Sequence, residues 1–259
     1  MYQRIWKEAK MKYLVFAILF AALLASTTAC ATIDTNTAIE TQASCNLEGD
    51  LYNRIVRPTI RVYAMFVDDK GEIAGYSCGT GVIVRRIGDN YYATTCAHVI
   101  DTTVAVEKGW KVAYMIEHAD IGVVPAGVVY QTLPHRDMAI IGFTSKANLP
   151  LAFLATKSPR LLSKVYACGW RPVRTHPHVT MGLICSFTDN GPGMPAAWEH
   201  SAPVWYGYSG GGLFNEAGEL IGINAQVSVD YRKGQVVVHE AMAIPLEEIM
   251  ALLTEAGLK

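Results

Sequence analysis

From residue 55 onward the chain is a succession of short β-type segments separated by turns, and this pattern constrains the fold more than any other feature. Turn sequences such as 69–71 and 216–218 separate the segments, because Asp, Asn and Gly accept the backbone angles of tight turns. The predicted strands lie at 61–68, 76–86, 91–97, 103–106, 111–117, 122–131, 138–143, 164–169, 180–186, 211–214, 220–229 and 236–243.

A helical period appears only near the C-terminus, where Leu246, Ile249, Met250 and Leu253 share one apolar face. A break near residues 145–160 divides the strands into two halves. The predicted fold class is therefore all-β, with two six-stranded antiparallel β-barrels and a C-terminal helix. Their expected bounds are about 53–145, about 160–245 and 246–257.

The composition is that of a chain that forms a hydrophobic core. Hydrophobic residues make up 51% of it and charged residues 17%, and the net charge is -1. Disordered chains are poor in hydrophobic residues and rich in net charge, so this class is excluded. Proteins that bind nucleic acid carry basic patches and a high pI, so no nucleic-acid partner is expected.

Residues 1–30 have the three parts of a secretory signal. Basic residues between Arg4 and Lys12 precede an uncharged apolar run at 13–25, and small residues follow up to Cys30. The apolar run is shorter than the ~20 residues that a membrane-spanning helix needs. We therefore expect an exported protein of the cell envelope, the periplasm or the extracellular medium.

The sequence around Cys30 leaves the fate of this signal open. Residues 27–30 resemble a bacterial lipobox, in which the cysteine is lipidated, although Thr27 replaces the usual aliphatic residue. Residues 29–31 also fit the A-x-A site of ordinary signal peptidase. A membrane anchor through lipidated Cys30 is the favoured expectation, and plain secretion or an uncleaved anchor are the alternatives. Residues 31–52 are predicted to be a tether to a domain at 53–259.

The oxidation state of the cysteines is expected to depend on the compartment in which the protein acts. An exported protein can keep disulfides, so the natural pairs are Cys78 with Cys96 and Cys168 with Cys185. The alternative is that these residues are buried free thiols. The chain has six cysteines, the other two being Cys30 and Cys45.

Metal ligands are scarce in the sequence. No C-x-x-C occurs, and His176 and His178 form the only histidine pair at ligand-like spacing. That pair lies in a Pro-containing turn and is expected to be solvated. No metal and no cofactor are therefore predicted.

Three segments carry residues that together could perform chemistry. They are 94–99 with His98, 135–141 with Asp137, and 207–213 with Ser209 among glycines. A hydroxyl becomes a good nucleophile when an imidazole takes its proton, and a carboxylate orients that imidazole. His98, Asp137 and Ser209 supply these three catalytic roles.

The glycines around Ser209 suggest an oxyanion hole. Acyl transfer needs backbone N–H groups that point at a developing negative charge. Gly207 and Gly210 allow a tight turn, so that the N–H groups of Gly207 and Ser209 can converge.

The three segments and their order resemble those of a known protein family. Residues 94–99, 136–141 and 206–213 are similar to the three catalytic blocks of the trypsin-like (chymotrypsin-fold) serine proteases, in the order His, Asp, Ser. The HtrA/Deg branch is more similar still, and the resemblance covers residue 57 to the C-terminus. It implies an HtrA/Deg-like protease domain without a PDZ domain that acts on polypeptides. The further segments that carry it are 79–84, 166–170, 218–224 and 241–245.

The resemblance also bears on activation and specificity. Tyr208 stands where secreted trypsins have an aspartate that pairs with a new N-terminus, so no zymogen switch is expected. Pro203 stands where trypsins carry the acidic residue that receives Lys or Arg. The implied pocket prefers a small or medium apolar P1 residue. Its lining residues would be Val204, Tyr206, Asn224, Ala225, Gln226 and Val227.

The sequence leaves three further possibilities open, one for a loop and two for the function of the whole chain. Residues 189–195 could form a lid over the site or an ordinary surface turn. The whole chain could be a catalytically silent binding protein with a protease fold. An α/β-hydrolase esterase would use the Gly-x-Ser-x-Gly at 207–211 with Asp230 and His239, but that fold needs alternating strands and helices after the serine.

Overall fold

The computed structural model describes residues 49–132, 136–172, 174–188, 196–232 and 235–259, with the backbone alone described at 228–232 and 235–239. The predicted signal, Cys30, Cys45, most of the tether and the 189–195 loop lie outside these residues. Within the described part, no helix has the length and apolar character needed to cross a membrane.

Strands make up most of the described chain. The helical elements are a π-helical turn (Tyr52–Val56), a 3-10 turn (Ala97–Ile100), α1 (Thr103–Glu107) and α2 (Leu246–Glu255). The strands are β1 (Thr59–Val67), β2 (Ile73–Ile87), β3 (Asn90–Cys96), β4 (Lys111–His118), β5 (Gly122–Gln131), β6 (Met138–Thr144), β7 (Phe153–Leu154), β8 (Lys164–Gly169), β9 (His178–Thr188), β10 (Ala197–His200), β11 (Gly212–Asn215), β12 (Glu219–Arg232) and β13 (Gln235–Pro245).

The strands form two closed six-stranded barrels. The first has the order β1-β2-β3-β6-β5-β4, and antiparallel pairing of β1 with β4 closes it. The second has the order β11-β8-β9-β10-β13-β12, and β11 pairs with β12 to close it. The short β7 adds to β12 in parallel. The predicted two-barrel fold is confirmed, and the helix–strand alternation of an α/β-hydrolase is absent from the described residues after Ser209.

The C-terminal helix packs against the barrels, as predicted. Ile249, Leu252 and Leu253 of α2 are buried in the same apolar cluster as the first-barrel strands. Burying such side chains removes apolar surface from water, at about 1.5–3 kcal/mol each. Glu248 and Glu255 of α2 bind the guanidinium of Arg136, which precedes β6. The helix therefore holds the start of β6.

Three elements differ from the prediction. Residues 103–106 were predicted as a strand from their β-branched residues but lie in α1. The side chain of Asp101 explains this, because its Oδ1 accepts hydrogen bonds from the N–H and the hydroxyl of Thr103 at 2.9 and 2.7 Å. Strands β7 and β10 were not predicted. The helical structure also begins at residues 49–51, inside the predicted tether.

The predicted disulfides are wrong, since Cys78, Cys96, Cys168 and Cys185 are all free. Cys78 lies opposite Tyr63 in the first barrel, whereas the sulfur of Cys96 points to the carbonyl of Asn224 in the second, 3.4 Å away. Cys168 is fully buried and Cys185 is exposed on the outer face of β9. Each predicted pair therefore joins residues that face different surroundings.

Candidate active site

His98 lies in the 3-10 turn that follows β3. Its neighbours Ala97, Val99 and Ile100 are buried, whereas the His98 side chain is 45% exposed. The apolar neighbours thus anchor the turn in the first barrel. The imidazole is left accessible at the surface.

Asp137 lies directly before β6 and holds His98 at two points. The pairing of β3 with β6 places Cys96 opposite Met138, which brings residue 137 beside the His98 turn. Oδ1 of Asp137 accepts the backbone N–H of His98 at 2.9 Å, and Oδ2 lies 2.7 Å from Nδ1 of the ring. A carboxylate at Nδ1 keeps the ring proton there, which leaves Nε2 free to accept another proton.

The backbone at Asp137 contributes to the same arrangement. Its φ of 49° lies in the left-handed region, which Asp tolerates better than most residues. Its carbonyl accepts the N–H of Ala97 at 3.1 Å. Both the main chain and the side chain of Asp137 therefore bind the segment that carries His98.

Ser209 lies in a tight turn of the second barrel. The N–H of Gly211 donates to the carbonyl of Tyr208 at 2.7 Å, which closes the turn around the half-buried serine. The hydroxyl of Ser209 makes no hydrogen bond to any other residue that the structure describes. It is therefore not committed to a structural bond.

The turn after Ser209 is pressed against the first barrel. Gly210 has φ +84°, and a Cβ there would lie 2.4 Å from Thr95 Oγ1 and 2.9 Å from the nitrogen of Cys96. Any side chain at this position would push the two barrels apart. The absence of one lets the serine turn approach the end of β3, immediately before the His98 turn.

The predicted oxyanion donors are available for a ligand. Gly207 has φ +93°, and a Cβ there would lie 2.3 Å from the carbonyl oxygen of Trp170. Among the backbone hydrogen bonds of the described chain, the N–H groups of Gly207 and Ser209 have no acceptor. Binding of an oxyanion requires N–H groups that are not already hydrogen-bonded. The N–H groups of Gly207 and Ser209, on either side of Tyr208, meet this requirement.

Tyr208 is an anchor of the turn. It is 1% exposed, and its hydroxyl donates to the carbonyl of His178 at 2.9 Å and lies 2.7 Å from Nδ1 of the same residue. His178 is therefore half-buried and hydrogen-bonded to Tyr208, whereas His176 is exposed as expected. Burial, aided by the charges of Arg171 and Arg174, lowers the pKa of His178.

Five of the six predicted pocket residues are either half-buried or exposed. Val204 is half-buried against the apolar core of the second barrel, and Ala225 is half-buried at an irregularity in the pairing of β12 with β13. Tyr206, Gln226 and Val227 are exposed, Tyr206 to 93%.

Asn224 lies behind the serine turn instead. It is 3% exposed, and its amide nitrogen donates to the carbonyls of Gly211 and Gly212 at 3.0 and 3.1 Å. Its Oδ1 lies 2.9 Å from Nε2 of His200, which must carry the proton of that bond. Asn224 and His200 thus hold the segment that follows Ser209. No sequence motif contains His200, because it is an isolated histidine outside any predicted strand.

In the part of the chain that the structure describes, one group of side chains has the composition of a metal site. Cys96, His98 and Asp137 offer ligand atoms within 4.8 Å of one another. Burial, followed by the charge of Asp137, raises the pKa of the Cys96 thiol well above its usual value. Metals bind the thiolate, so this environment disfavours Cys96 as a ligand.

Known proteins that are similar in sequence or structure agree with this fold. Residues 79–223 match the family model of the trypsin-like peptidase domain. The serine protease Do-like HtrA of Lactobacillus helveticus is 26% identical over 197 residues, which are 71% of this chain and 44% of that protein. The chain therefore spans less than half the length of this curated relative.

Two solved structures of the HtrA-type protease AlgW with a tripeptide are also similar. A substituted form has 23% identity and a TM-score of 0.64, and the matched region is 82% of this chain and 63% of that one. A second structure has 25% identity and a TM-score of 0.62, and the matched region is 81% of this chain and 64% of that one.

Proposed function

Since the chain belongs to the trypsin-like peptidase domain family, we propose that it is a serine endopeptidase that hydrolyses peptide bonds through Ser209, His98 and Asp137. The observation that carries the proposal is the pair of hydrogen bonds that the backbone N–H and the ring Nδ1 of His98 make to the carboxylate of Asp137. The turn of Ser209, whose hydroxyl has no structural partner among the described residues, packs against the end of the strand that precedes His98. The relatives named as HtrA-type proteases support polypeptides as the substrate class.

The first step is attack by Ser209 on a peptide carbonyl. Nε2 of His98 takes the proton of the hydroxyl as the C–O bond forms, and it later gives this proton to the departing amine. Asp137 stabilises the imidazolium that exists between the two transfers. Water then hydrolyses the acyl-enzyme by the same route in reverse.

The negative oxygen that forms on the carbonyl needs compensation. The N–H groups of Gly207 and Ser209 would donate to it, since neither is used within the described fold. Loss of one such donor typically slows acyl transfer by about 100–1,000-fold. The chemistry uses no metal or other cofactor.

The residues beside the serine turn favour an apolar P1 side chain. Val204 and Ala225 offer small apolar surfaces, and Pro203 stands at the position where the resemblance would place an acidic residue for Lys or Arg. A small or medium apolar P1 residue is the preference that these side chains support.

We further propose that the enzyme acts outside the cytoplasm. The support is the sequence alone: a signal-like segment at 1–30, Cys30 as a lipidation site and a tether at 31–52, ahead of a protease domain at 53–259. A lipid on Cys30 would make the membrane a partner of the protein.

The alternative is a protease fold that binds a partner without cleaving it. Reaction with a fluorophosphonate probe separates the two, because this reagent labels activated serines. Label mapped to Ser209 by mass spectrometry, absent from Ser209→Ala and retained in Ser158→Ala, supports the protease. Ser158 is an exposed serine whose hydroxyl binds Glu247, so it is a matched control. Folded wild-type protein that takes up no label would favour the binding protein.

A further inference from the structure

We propose that Thr80 is a positioning residue for the oxyanion hole: its hydroxyl fixes the turn that carries the Gly207 and Ser209 amides. The inference rests on the proposed function, since it concerns the same site. Thr80 belongs to the 79–84 segment of β2 and is fully buried. It lies in the first barrel, whereas the turn that it contacts belongs to the second.

The hydroxyl of Thr80 uses both of its hydrogen-bonding functions. It donates to the carbonyl oxygen of Gly207 at 2.6 Å and accepts the N–H of Trp170 at 2.8 Å. A buried hydroxyl with one donor bond and one acceptor bond has a fixed orientation. Thr80 therefore holds Gly207 in place relative to the end of β8.

The main chain of Thr80 adds a second contact to the same turn. Its N–H donates to the carbonyl of Ser209 at 2.8 Å, and its own carbonyl accepts the hydroxyl of Thr95 at 2.7 Å. Thr80 thus holds the carbonyls of both residues whose N–H groups are the proposed oxyanion donors. One contact lies on each side of Tyr208.

These contacts matter because the turn contains flexible positions. Gly207 has φ +93° and no side chain to restrict its rotation. The peptide between Gly207 and Tyr208 is planar, and it is fixed at two points, by Thr80 at its carbonyl and by Trp205, which accepts the Tyr208 N–H at 3.0 Å. Without the hydroxyl of Thr80, one of the two fixed points is lost. Rotation of the neighbouring bonds would then turn the donors away from the oxyanion.

This role predicts a particular kinetic effect. An oxyanion donor acts mainly in the transition state, so a misplaced donor slows the chemical step and leaves ground-state binding nearly unchanged. Thr80→Val keeps the shape of the side chain and removes the hydroxyl, whereas Thr80→Ser keeps the hydroxyl. Thr59→Val is a matched control, because Thr59 is also buried and its hydroxyl donates to the carbonyl of Ile55 at 2.7 Å, away from the serine turn.

The experiment measures saturation kinetics of labelling by an alkyl fluorophosphonate, which gives the rate constant kinact and the binding constant KI separately. Urea unfolding of each variant is measured beside it. We expect kinact of Thr80→Val to fall by about 10–100-fold, below the full loss of one donor, with KI within twofold. Thr80→Ser and Thr59→Val should keep kinact within about threefold of the wild type.

Each outcome separates this inference from the proposed function. A wild-type protein that is not labelled at Ser209 contradicts the function itself. Labelled wild type with an unchanged kinact in Thr80→Val overturns the role of Thr80 alone. A loss in Thr80→Ser equal to that in Thr80→Val also overturns it, as does an equal loss in Thr59→Val. If Thr80→Val shows no cooperative unfolding, Thr80→Ala is measured in its place with the same expected values.

Discussion

The carboxylate of Asp137 divides its two oxygens between two groups of His98. Oδ1 accepts the backbone N–H at 2.9 Å, and Oδ2 lies 2.7 Å from the ring nitrogen Nδ1. The first bond fixes the position of the histidine main chain, and the second fixes the rotation and the protonation of its ring. A residue in the left-handed region of backbone space supplies both.

Replacing Asp137 by Asn tests this pairing. An amide NH₂ in place of Oδ2 would meet the protonated Nδ1, so the ring would favour the other tautomer and Nε2 would lose its capacity to accept a proton. We expect kinact for fluorophosphonate labelling to fall by roughly 10³–10⁴-fold at neutral pH. The midpoint of urea unfolding checks that Asp137→Asn still folds, and a folded variant that is labelled at the wild-type rate would contradict the orienting role of Asp137.

Replacing Gly207 by Ala tests the proposed oxyanion hole. An alanine there would combine a strained φ of +93° with a Cβ only 2.3 Å from the carbonyl of Trp170. Displacement of the turn removes an oxyanion donor, so the labelling rate should fall by at least about 100-fold. The matched control is Gly88→Ala, because Gly88 has φ +62° and open space around its Cβ position. That variant should lose some stability and keep the labelling rate, and equal rates for both variants would contradict the account of Gly207.

The buried His200 predicts a loss of stability in acid. Burial lowers its pKa to about 4, from about 6.5 for an ordinary histidine. Its Nε2 proton is used by Asn224, and Nδ1 has no partner among the described residues. Above pH 6.5 neither the folded nor the unfolded state protonates the ring. As the pH falls from 6.5 to 4, the unfolded state gains the proton first, which lowers the free energy of unfolding by up to about 3 kcal/mol.

The variant His200→Gln removes this contribution, because Gln keeps a donor for Asn224 and does not titrate. Urea unfolding from pH 7 to pH 4 should show a shallower loss of stability for His200→Gln than for the wild type. Parallel pH dependence of the two proteins would show that His200 is not the titrating group.

The four described cysteines should react according to their burial. Burial raises the pKa of the Cys168 thiol to about 12, and Cys96 is equally buried, whereas Cys185 is exposed. Iodoacetamide attacks thiolates, so it should modify Cys185 in the folded protein and reach Cys96 and Cys168 only after unfolding. Peptide mapping by mass spectrometry reads each site. A peptide that links Cys78 with Cys96 before reduction would contradict the free thiols.

Most strands of the two barrels could be predicted, because each is an apolar segment bounded by turn residues. Segments such as 138–143 and 164–169 are short, apolar and bounded by turns, and they correspond to β6 and β8. Residues 103–106 could not be assigned in this way, since the bonds from Asp101 outweigh the β preference of Thr and Val. The four-residue β10 has too few residues to establish an alternating pattern.

The candidate site was predictable in its residues and not in its contacts. The three segments with His98, Asp137 and Ser209 are recognisable from their order and from the glycines. The hydrogen bonds of Asp137 depend on the pairing of β3 with β6, which no local pattern specifies. The same holds for Thr80, whose bond to Gly207 joins residues that lie 127 positions apart. An oxidising compartment favours disulfides, but it does not determine which cysteines are close enough to pair, and the four described cysteines are free.

The central proposal is that the Ser209 hydroxyl attacks peptide bonds in a reaction in which His98 transfers the proton. The most direct measurement is digestion of a random peptide library by the purified full chain, with new termini read by mass spectrometry, beside Ser209→Ala and His98→Ala. The account predicts cleavage after small or medium apolar residues by the wild type, and cleavage at least about 10³-fold slower in both variants. A folded wild type that cleaves nothing, or a Ser209→Ala variant that cleaves equally fast, would contradict it.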